Sequence, residues 1–504
     1  MICLIENIED FNNDLRVMLM AFYMGVKIVT PENIAKKPEL ADEIEFTLKA
    51  DFGEDGIRIY ISDGLVLPED MISNKMPGAS NMDAAEVVPD VFISCNYHDR
   101  KDTRNKLKLA IYNLLSKRTG KVLPWGSLTG VKPVKIAMAG IESGLSDDEV
   151  IEEYEKIYGA SREKAEMCVR IARREKELIK TVDECQEYCL YIGIPFCPTR
   201  CLYCSFTSYP IAKYTDKVDL YLDAVEKEIK FVADSYKNKR LSSIYIGGGT
   251  PSSIGAEEMD RLCRMIEEKF DMSHVREFTI EAGRPDSTTF DKLVVMKNHN
   301  VSRISINPQT MNDETLKLIG RAHTSRQTAE AFENARNAGF DNINMDIIVG
   351  LPAETSESVS RTLDKIKKLS PESLTVHTLA VKRAANLKQE MDKYRDSIAG
   401  DTDKQLMLVN KAAGEMGLSP YYLYRQKNMA GNLENTGYSK RGLECLYNIL
   451  IMEERTDIIG IGAGSSSKLV YGTRTGRVEN CKNVDEYISR IDEMIERKRV
   501  AFAK

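Results

Sequence analysis

The sequence is short of several things, and each shortage excludes something. Among 504 residues there is one tryptophan, Trp125, and there are five histidines, at positions 98, 274, 299, 323 and 377. Long apolar runs are missing. The most apolar N-terminal stretch, Val17 to Val29, is interrupted by Lys27 and falls short of the roughly 20 residues that cross a bilayer. The opening Met1-Ile2-Cys3-Leu4-Ile5-Glu6 lacks the basic region of a secretory signal, so the expected location is the cytoplasm. A basic excess is missing too: the net charge of −7 argues against a chain built to grip phosphate backbones, and no nucleic-acid partner is expected. There is no low-complexity tract. Hydrophobic residues at 42% and charged residues at 29% describe a folded globular chain of two or three domains.

What the chain does have is cysteine. Eleven is an odd number in a large chain without an export signal, a poor fit to a disulfide framework and a better one to reduced thiols or metal ligands. Cys185, Cys189, Cys197, Cys201 and Cys204 fall within twenty positions. Cys3, Cys95, Cys168, Cys263, Cys445 and Cys481 are scattered and read as small buried apolar residues.

Hydropathy periodicity organises the middle of the chain. Six β-rich runs are predicted at 190–194, 243–246, 277–280, 303–306, 344–349 and 374–377. Amphipathic helical stretches separate them at 218–233, 257–270, 290–298, 325–338 and 357–369. This alternation is the pattern of an α/β parallel sheet with outer helices. Six units are fewer than the eight of a closed barrel, so the expectation is a partial (β/α)6 barrel with its chemistry at the C-terminal strand ends. Residues 1–180 read as an N-terminal α+β accessory domain, with a strand at 57–61 and helices at 106–117 and 149–180. Residues 181–385 form the barrel core. Residues 386–504 form a mostly helical cap, helical at 401–416 and 484–498, around a tyrosine- and glycine-rich middle, Tyr421 to Tyr438.

The decisive string follows the first predicted core strand: Tyr191-Ile-Gly-Ile-Pro-Phe-Cys197-Pro-Thr-Arg-Cys201-Leu-Tyr203-Cys204. Three thiolates at spacings of four and three can wrap one compact cluster from a single loop. A [4Fe–4S] cluster normally takes four thiolates, so three leave one iron open to a ligand. The alternative is a structural zinc knuckle, but closed zinc sites want a fourth ligand and every histidine is far away in sequence. Cys185 and Cys189 lie on the preceding segment and are read as uninvolved.

Cys-x3-Cys-x2-Cys after strand one of a partial β/α barrel resembles the radical S-adenosylmethionine (SAM) superfamily. Gly247-Gly248-Gly249-Thr250-Pro251 after the second strand supports the resemblance, as a bare backbone loop facing the methionine amino group. Further strings occur in the order seen in oxygen-independent coproporphyrinogen III oxidases: Ile280-Glu281-Ala282, Ser305 to Gln309, Ile319-Gly-Arg321-Ala-His323-Thr324 and Asn344-Met-Asp346 to Pro352. The first 180 residues, with Tyr421 to Asn435, resemble that family's HemZ-type branch, the coproporphyrinogen dehydrogenases. The resemblance implies a [4Fe–4S] cluster on Cys197, Cys201 and Cys204. It implies SAM contacts from Tyr191, Tyr203, Gly248, Gly249, Thr250 and Glu281, and from a neighbouring stretch of Gln309, Arg321, Asp346 and Ala380. Two departures stand out: Gly193 where the family usually carries histidine, and Phe206 where many members carry a further cysteine.

The implied activity is oxidative decarboxylation of coproporphyrinogen III to protoporphyrinogen IX through a 5′-deoxyadenosyl radical. It requires a tetrapyrrole substrate, a low-potential electron donor and an electron acceptor. Related haem chaperones are an alternative function, but they carry a C-terminal histidine-asparagine pair followed by tyrosine and tryptophan, and here the counterpart is Gly431-Asn432. Another radical reaction on a tetrapyrrole is a third. Arg425, Lys427 and Tyr438 are the candidate substrate contacts, since a tetra-acid on a broad apolar ring calls for cations among aromatics. The stretch around Trp125, from Leu123 to a helix opening at Pro133, is the other candidate.

Overall fold

The computed structural model describes residues 1–23, 25–68, 80–82, 89–130, 132–380, 385–389, 394, 401–426, 429, 432–472 and 474–503. They form two compact units. One comprises Met1–Pro133, Ala139–Val169 and Gln426–Leu433; the other comprises Val134–Met138, Arg170–Arg425 and Glu434–Lys504.

In the first unit, β1 (Ile2–Glu6), β2 (Ile28–Val29), β3 (Phe46–Gly53), β4 (Gly56–Asp63) and β7 (Val91–Ile93) make a sheet in the order β2-β1-β3-β4-β7. The short β5 (Val66–Pro68) and β6 (Ser80–Met82) pair separately. Helices Asn12–Phe22 and Arg100–Thr119 contribute Leu15, Leu19, Leu107, Ile111 and Leu115 to the same core as Phe46, Leu48 and Ile59 of the sheet. Trp125, entertained as a substrate contact, is fully buried here, and a helix does begin at Val134, after Pro133. The single helix predicted over 149–180 is a correction. Helix Asp147–Glu153 runs into a π turn, Tyr154–Tyr158, and stops at Gly159 in the left-handed region (φ 63°), before a new helix at Arg162–Ile179. A left-handed glycine is a common helix stop, and periodicity read across it missed the break.

The second unit holds the predicted alternation. Its strands are β8 (Glu187–Ile194), β11 (Arg240–Gly248), β12 (Glu277–Gly283), β13 (Arg303–Ile306), β14 (Ile343–Val349) and β15 (Ser373–Thr378), with the two-residue β9 (Phe196–Cys197) and β10 (Tyr209–Pro210) in the loop after β8. The helices between them are Val218–Ser235, Ala256–Lys269, Phe290–Asn298, Ser325–Asn337 and Ser356–Leu369. β8, β11, β12, β13, β14 and β15 pair in parallel in that order. Pleating sends alternate side chains to opposite faces, so Ile304 and Ile306 share one face of β13 while Arg303 and Ser305 share the other. The six parallel β/α units expected from the pattern are therefore what the chain adopts, arranged as an open sheet with no closed barrel among the described residues.

The C-terminal region carries its expected helices, the second broken at Arg490 into Val484–Ser489 and Ile491–Phe502, and it adds five strands as well. β16 (Ser419–Tyr424) and β17 (Asn435–Ser439) extend the sheet antiparallel beyond β15. β18 (Asp457–Ile461) pairs in parallel with β8, and β19 (Ser466–Tyr471) and β20 (Arg474–Glu479) continue outward. The result is an eleven-stranded sheet, β16-β17-β15-β14-β13-β12-β11-β8-β18-β19-β20. A buried polar knot ties this extension to the barrel. Lys498 and Glu228, both with fully buried side chains, form an ion pair at 2.6 Å. Glu228 also accepts from Asn480, Tyr487 and the Gly462 N–H. Beside it, the Tyr221 hydroxyl donates to the Gly193 carbonyl (2.6 Å) and accepts from the Ala463 N–H (2.9 Å). Gly193 thus sits where a C-terminal loop meets the end of β8.

Candidate active site

The loop after β8 is folded by backbone bonds to the turns that flank it. The Gly249 N–H donates to the Ile194 carbonyl (2.8 Å) and the Thr250 N–H to the Phe196 carbonyl (2.7 Å), so the Gly-Gly-Gly-Thr-Pro turn is zipped onto the cysteine segment. The Thr250 hydroxyl donates to Cys197 Sγ at 3.4 Å. Further along, the Leu202 N–H donates to the Ile319 carbonyl, and the Cys204 N–H to the Cys201 carbonyl. Cys197 and Cys201 are buried, while Cys204 is partly exposed. Burial pushes the Cys197 thiol up to about 11, with the charges of Cys204 and Cys201 adding to the rise. No three His, Cys, Asp or Glu side chains among the described residues converge closely enough for one ion. A [4Fe–4S] cubane binds each thiolate through a separate iron. Cys189 lies inside β8, its sulfur 3.9 Å from Ser242 Oγ and from Thr456 Oγ1, and Cys185 is exposed.

The glycines of the turn make room for protein. A Cβ on Gly249 would stand 2.5 Å from the Phe196 carbonyl and 3.0 Å from Cys197 Sγ. Gly248, at φ 111°, would press the Ile194 carbonyl at 3.1 Å. Both positions lack a side chain so that two loops can touch.

Beyond them, the strand ends carry a wall of polar and aromatic groups. Tyr191 stacks on Tyr245 (6.2 Å between centroids) and Tyr447 (6.1 Å), which stack on each other at 4.6 Å. The Tyr245 hydroxyl donates to Glu281 at 2.6 Å. Burial raises the Glu281 carboxyl to about 7, although that hydrogen bond works against the rise. Arg321 donates to the Tyr203 hydroxyl (3.0 Å) and to the Asn307 carbonyl (2.6 Å), fixing the aromatic between the second and third cysteines. Gln309 is held at φ 65° with its N–H on the Asp346 carbonyl and its own carbonyl on the Ile348 N–H. Asp346 accepts from Asn344 at 2.6 Å and lies 3.8 Å from His377. Burial acts to raise its carboxyl, but His377 and Asn344 hold it below the usual carboxylate range. Ala380 follows the end of β15 and is half-buried.

Ser305 Oγ, Asn307 Oδ1, Gln309 Oε1 and Arg321 Nε are buried without a hydrogen-bond partner. Buried polar atoms are seldom left so, and these four, three of them in or just past β13 and one on the turn after helix Asp313–Leu318, hold hydrogen-bonding capacity for a polar ligand. The candidate substrate contacts are placed differently. Arg425 is buried just past β16. Tyr438 lies mid-strand in β17 opposite Leu374, its hydroxyl donating to Asn410. Lys427 and Gly431 lie outside the described residues. Phe206 is exposed. The stacked Tyr245 and Tyr447, together with His377, were missed from sequence. Tyr245 could have been found by stepping two residues back from Gly247 on a strand whose alternate positions face one side.

Residues 191–366 match the model of the Radical SAM superfamily. The oxygen-independent coproporphyrinogen-III oxidase-like protein HemZ of Bacillus subtilis is 42% identical over 392 residues, covering 76% of this chain and 77% of that protein. The heme chaperone HemW of Bacillus subtilis is 31% identical over 302 residues, covering 59% of this chain and 75% of its own length. Among solved structures, coproporphyrinogen III oxidase (HemN) from Escherichia coli, described as a radical SAM enzyme, superposes with a TM-score of 0.50 at 24% identity, covering 62% of this chain and 70% of that one. The radical SAM superfamily brings a [4Fe–4S] cluster and SAM, and the residues present fit both: three free thiols on one loop for the irons, and the unsatisfied buried groups of Ser305, Asn307, Gln309 and Arg321 for a polar cofactor. The chain belongs to the radical SAM superfamily and, within it, to the HemZ-type branch of the oxygen-independent coproporphyrinogen III oxidase family.

Proposed function

We propose that the protein converts coproporphyrinogen III to protoporphyrinogen IX by oxidative decarboxylation of two propionate side chains, as an oxidoreductase of porphyrin biosynthesis. The observation that carries the reading is the resemblance to a HemZ protein across three quarters of both chains, supported by the three-thiol loop after β8 and the orphaned buried polar groups of Ser305, Asn307, Gln309 and Arg321. When bound, the cluster and SAM supply a hydrogen-abstracting 5′-deoxyadenosyl radical. Each propionate then gives up one hydrogen atom from its β-carbon, one electron to an acceptor, and carbon dioxide, leaving a vinyl group. A low-potential donor outside this chain provides the electron that starts each cycle.

The protein's own share is binding and exclusion of water. Thr250 supports Cys197, Arg321 fixes Tyr203, and Tyr245 holds Glu281 against the stacked tyrosines. Gln309, Arg321, Asp346 and Ala380 are the proposed second set of cofactor contacts, and Arg425, Lys427 and Tyr438 the proposed contacts to substrate.

Haem delivery is the second reading, favoured by the identity to HemW. Against it, the histidine-asparagine pair of the resembling chaperones has Gly431-Asn432 as its counterpart here, and Trp125 is the sole tryptophan of the chain. One experiment separates the two. Reduced, reconstituted protein is incubated anaerobically with SAM and coproporphyrinogen III, and the tetrapyrrole is weighed by mass spectrometry. Loss of two carboxyl groups supports the enzyme. An unchanged tetrapyrrole, with stoichiometric haem binding in a parallel titration, sinks it.

A further inference from the structure

Just beyond β12 the chain turns at Gly283 (φ 67°) into Arg284-Pro-Asp286. The Arg284 side chain is 4% exposed. One edge of its guanidinium grips Asp286 in a fork, Nε to Oδ1 at 2.9 Å and Nη2 to Oδ2 at 2.6 Å. The remaining nitrogen, Nη1, points at the cysteine loop and donates both to the Thr199 carbonyl (3.1 Å) and to its hydroxyl (2.7 Å). Thr199 stands midway between Cys197 and Cys201, and its hydroxyl in turn donates to the Gly320 carbonyl at 3.2 Å. The brace is itself anchored. Ser287 and Thr288 hydroxyls donate to the Arg284 carbonyl, each at 3.0 Å, and His323 packs its buried ring 3.7 Å from Asp286.

We propose that Arg284 is a positioning residue for the cluster, acting through Thr199 to hold the Cys197–Cys201 loop in its binding shape, with Asp286 and His323 orienting the guanidinium. The geometry asks for arginine itself. One nitrogen edge is spent on Asp286 while the last nitrogen reaches a carbonyl and a hydroxyl on one residue, and a rigid planar fork does this where a lysine point charge cannot. A loop with three thiolates and no fourth protein ligand has fewer anchors of its own than a closed four-ligand site, so support from the neighbouring turn carries more weight. Outer-shell partners of metal ligands typically contribute about 10–100-fold to metal retention.

The inference rests on ligation by the three cysteines and is independent of which tetrapyrrole is bound. Reconstituted full-length Arg284→Lys, Arg284→Met, Asp286→Asn and Cys201→Ala are compared in iron content after timed exposure to a chelator, in the electron paramagnetic resonance spectrum of the reduced cluster, and in melting temperature without cluster. Arg284→Lys and Arg284→Met should both lose iron about 10-fold faster and shift the spectrum, Asp286→Asn should follow more weakly, and cluster-free melting should stay near wild type. Retention and spectrum like wild type in Arg284→Lys would overturn the fork. A fall in cluster-free melting with a normal spectrum in the folded fraction would reduce Arg284 to a core ion pair and also overturn it. If the Arg284 variants do not fold, Asp286→Asn decides on the same two readouts. Cys201→Ala must hold almost no cluster; if it retains cluster, the ligation itself is at fault, and that failure is distinct from failure of the brace.

Discussion

Adding one methyl group at Gly249 tests the site most economically. Its Cβ would lie 2.5 Å from the Phe196 carbonyl and 3.0 Å from Cys197 Sγ, whereas real Cβ contacts essentially never fall below 3.0 Å. The glycine turn and the cysteine segment must therefore part by about 0.5 Å at least, and both neighbours are backbone or thiol, with no flexible side-chain end to swing away. Forced overpacking of this kind costs about 1–3 kcal/mol. The two zipping bonds, Gly249 N–H to Ile194 and Thr250 N–H to Phe196, are stretched in the same movement, at roughly 1 kcal/mol each if lost. Gly249→Ala should thus fold but carry at most about half the wild-type iron after anaerobic reconstitution, since a shift of Phe196 is a shift of the adjoining Cys197. Gly414→Ala is the control: it lies in helix Thr402–Glu415 with nothing within 4 Å of its Cβ, and should instead raise stability by about 0.5–1 kcal/mol. Iron by colorimetry and unfolding by circular dichroism read the two effects separately. Full iron loading and unchanged SAM affinity in Gly249→Ala would show that the close approach of the two loops does not govern the site.

Three further outcomes are expected. Replacing Cys197, Cys201 or Cys204 by alanine should abolish the brown chromophore and SAM cleavage, while Cys185→Ala and Cys189→Ser keep both; absorbance near 400 nm and product chromatography check this. Lys498→Met should cost about 3–5 kcal/mol in urea unfolding, because it strands the buried Glu228 carboxylate, and Glu228→Gln combined with Lys498→Met should cost less than the two singles summed. Glu281, raised to about 7 in the folded chain from an ordinary 4.5, contributes stability that is complete below pH 4.5 and is lost as pH rises through 7. Glu281→Gln should therefore flatten the pH dependence of cluster-free melting across that window, and an unaltered slope would contradict the burial argument.

The core was legible because its strands and helices alternate locally, and each hydrophobic period announces itself within a dozen residues. The strand predicted at 303–306 and the helix at 290–298 coincide with those observed. β18 was not legible: Asp457-Ile-Ile-Gly-Ile461 is a short apolar run that reads equally as strand or buried helix, and its partner β8 lies far away in sequence. The same distance hid the tyrosine stack, where Tyr447 comes from helix Leu446–Glu453 to rings on β8 and β11, and the brace from Arg284 to Thr199. Gly249 was read from sequence as a bare backbone facing the cofactor, but its spatial neighbour is protein, the Phe196 carbonyl and Cys197 Sγ, which only the tertiary structure reveals.

The insertion of β18 beside β8 also sets a timetable for biosynthesis. β8 leads directly into the cysteines, yet one of its two ladders is completed by Asp457–Ile461, about 250 residues downstream of Cys204. At ribosomal speeds of about 5–20 residues per second, the strand feeding the cysteine loop stays an open edge for roughly 10–50 s of each synthesis. Throughout that interval Gly462 and Ala463, which meet Glu228 and Tyr221 beside Gly193, have not been made. Such an edge is a template for wrong pairing, and three exposed thiols next to it invite oxidation. A nascent chain stalled before residue 457 therefore presents its cysteines without the second neighbour of β8.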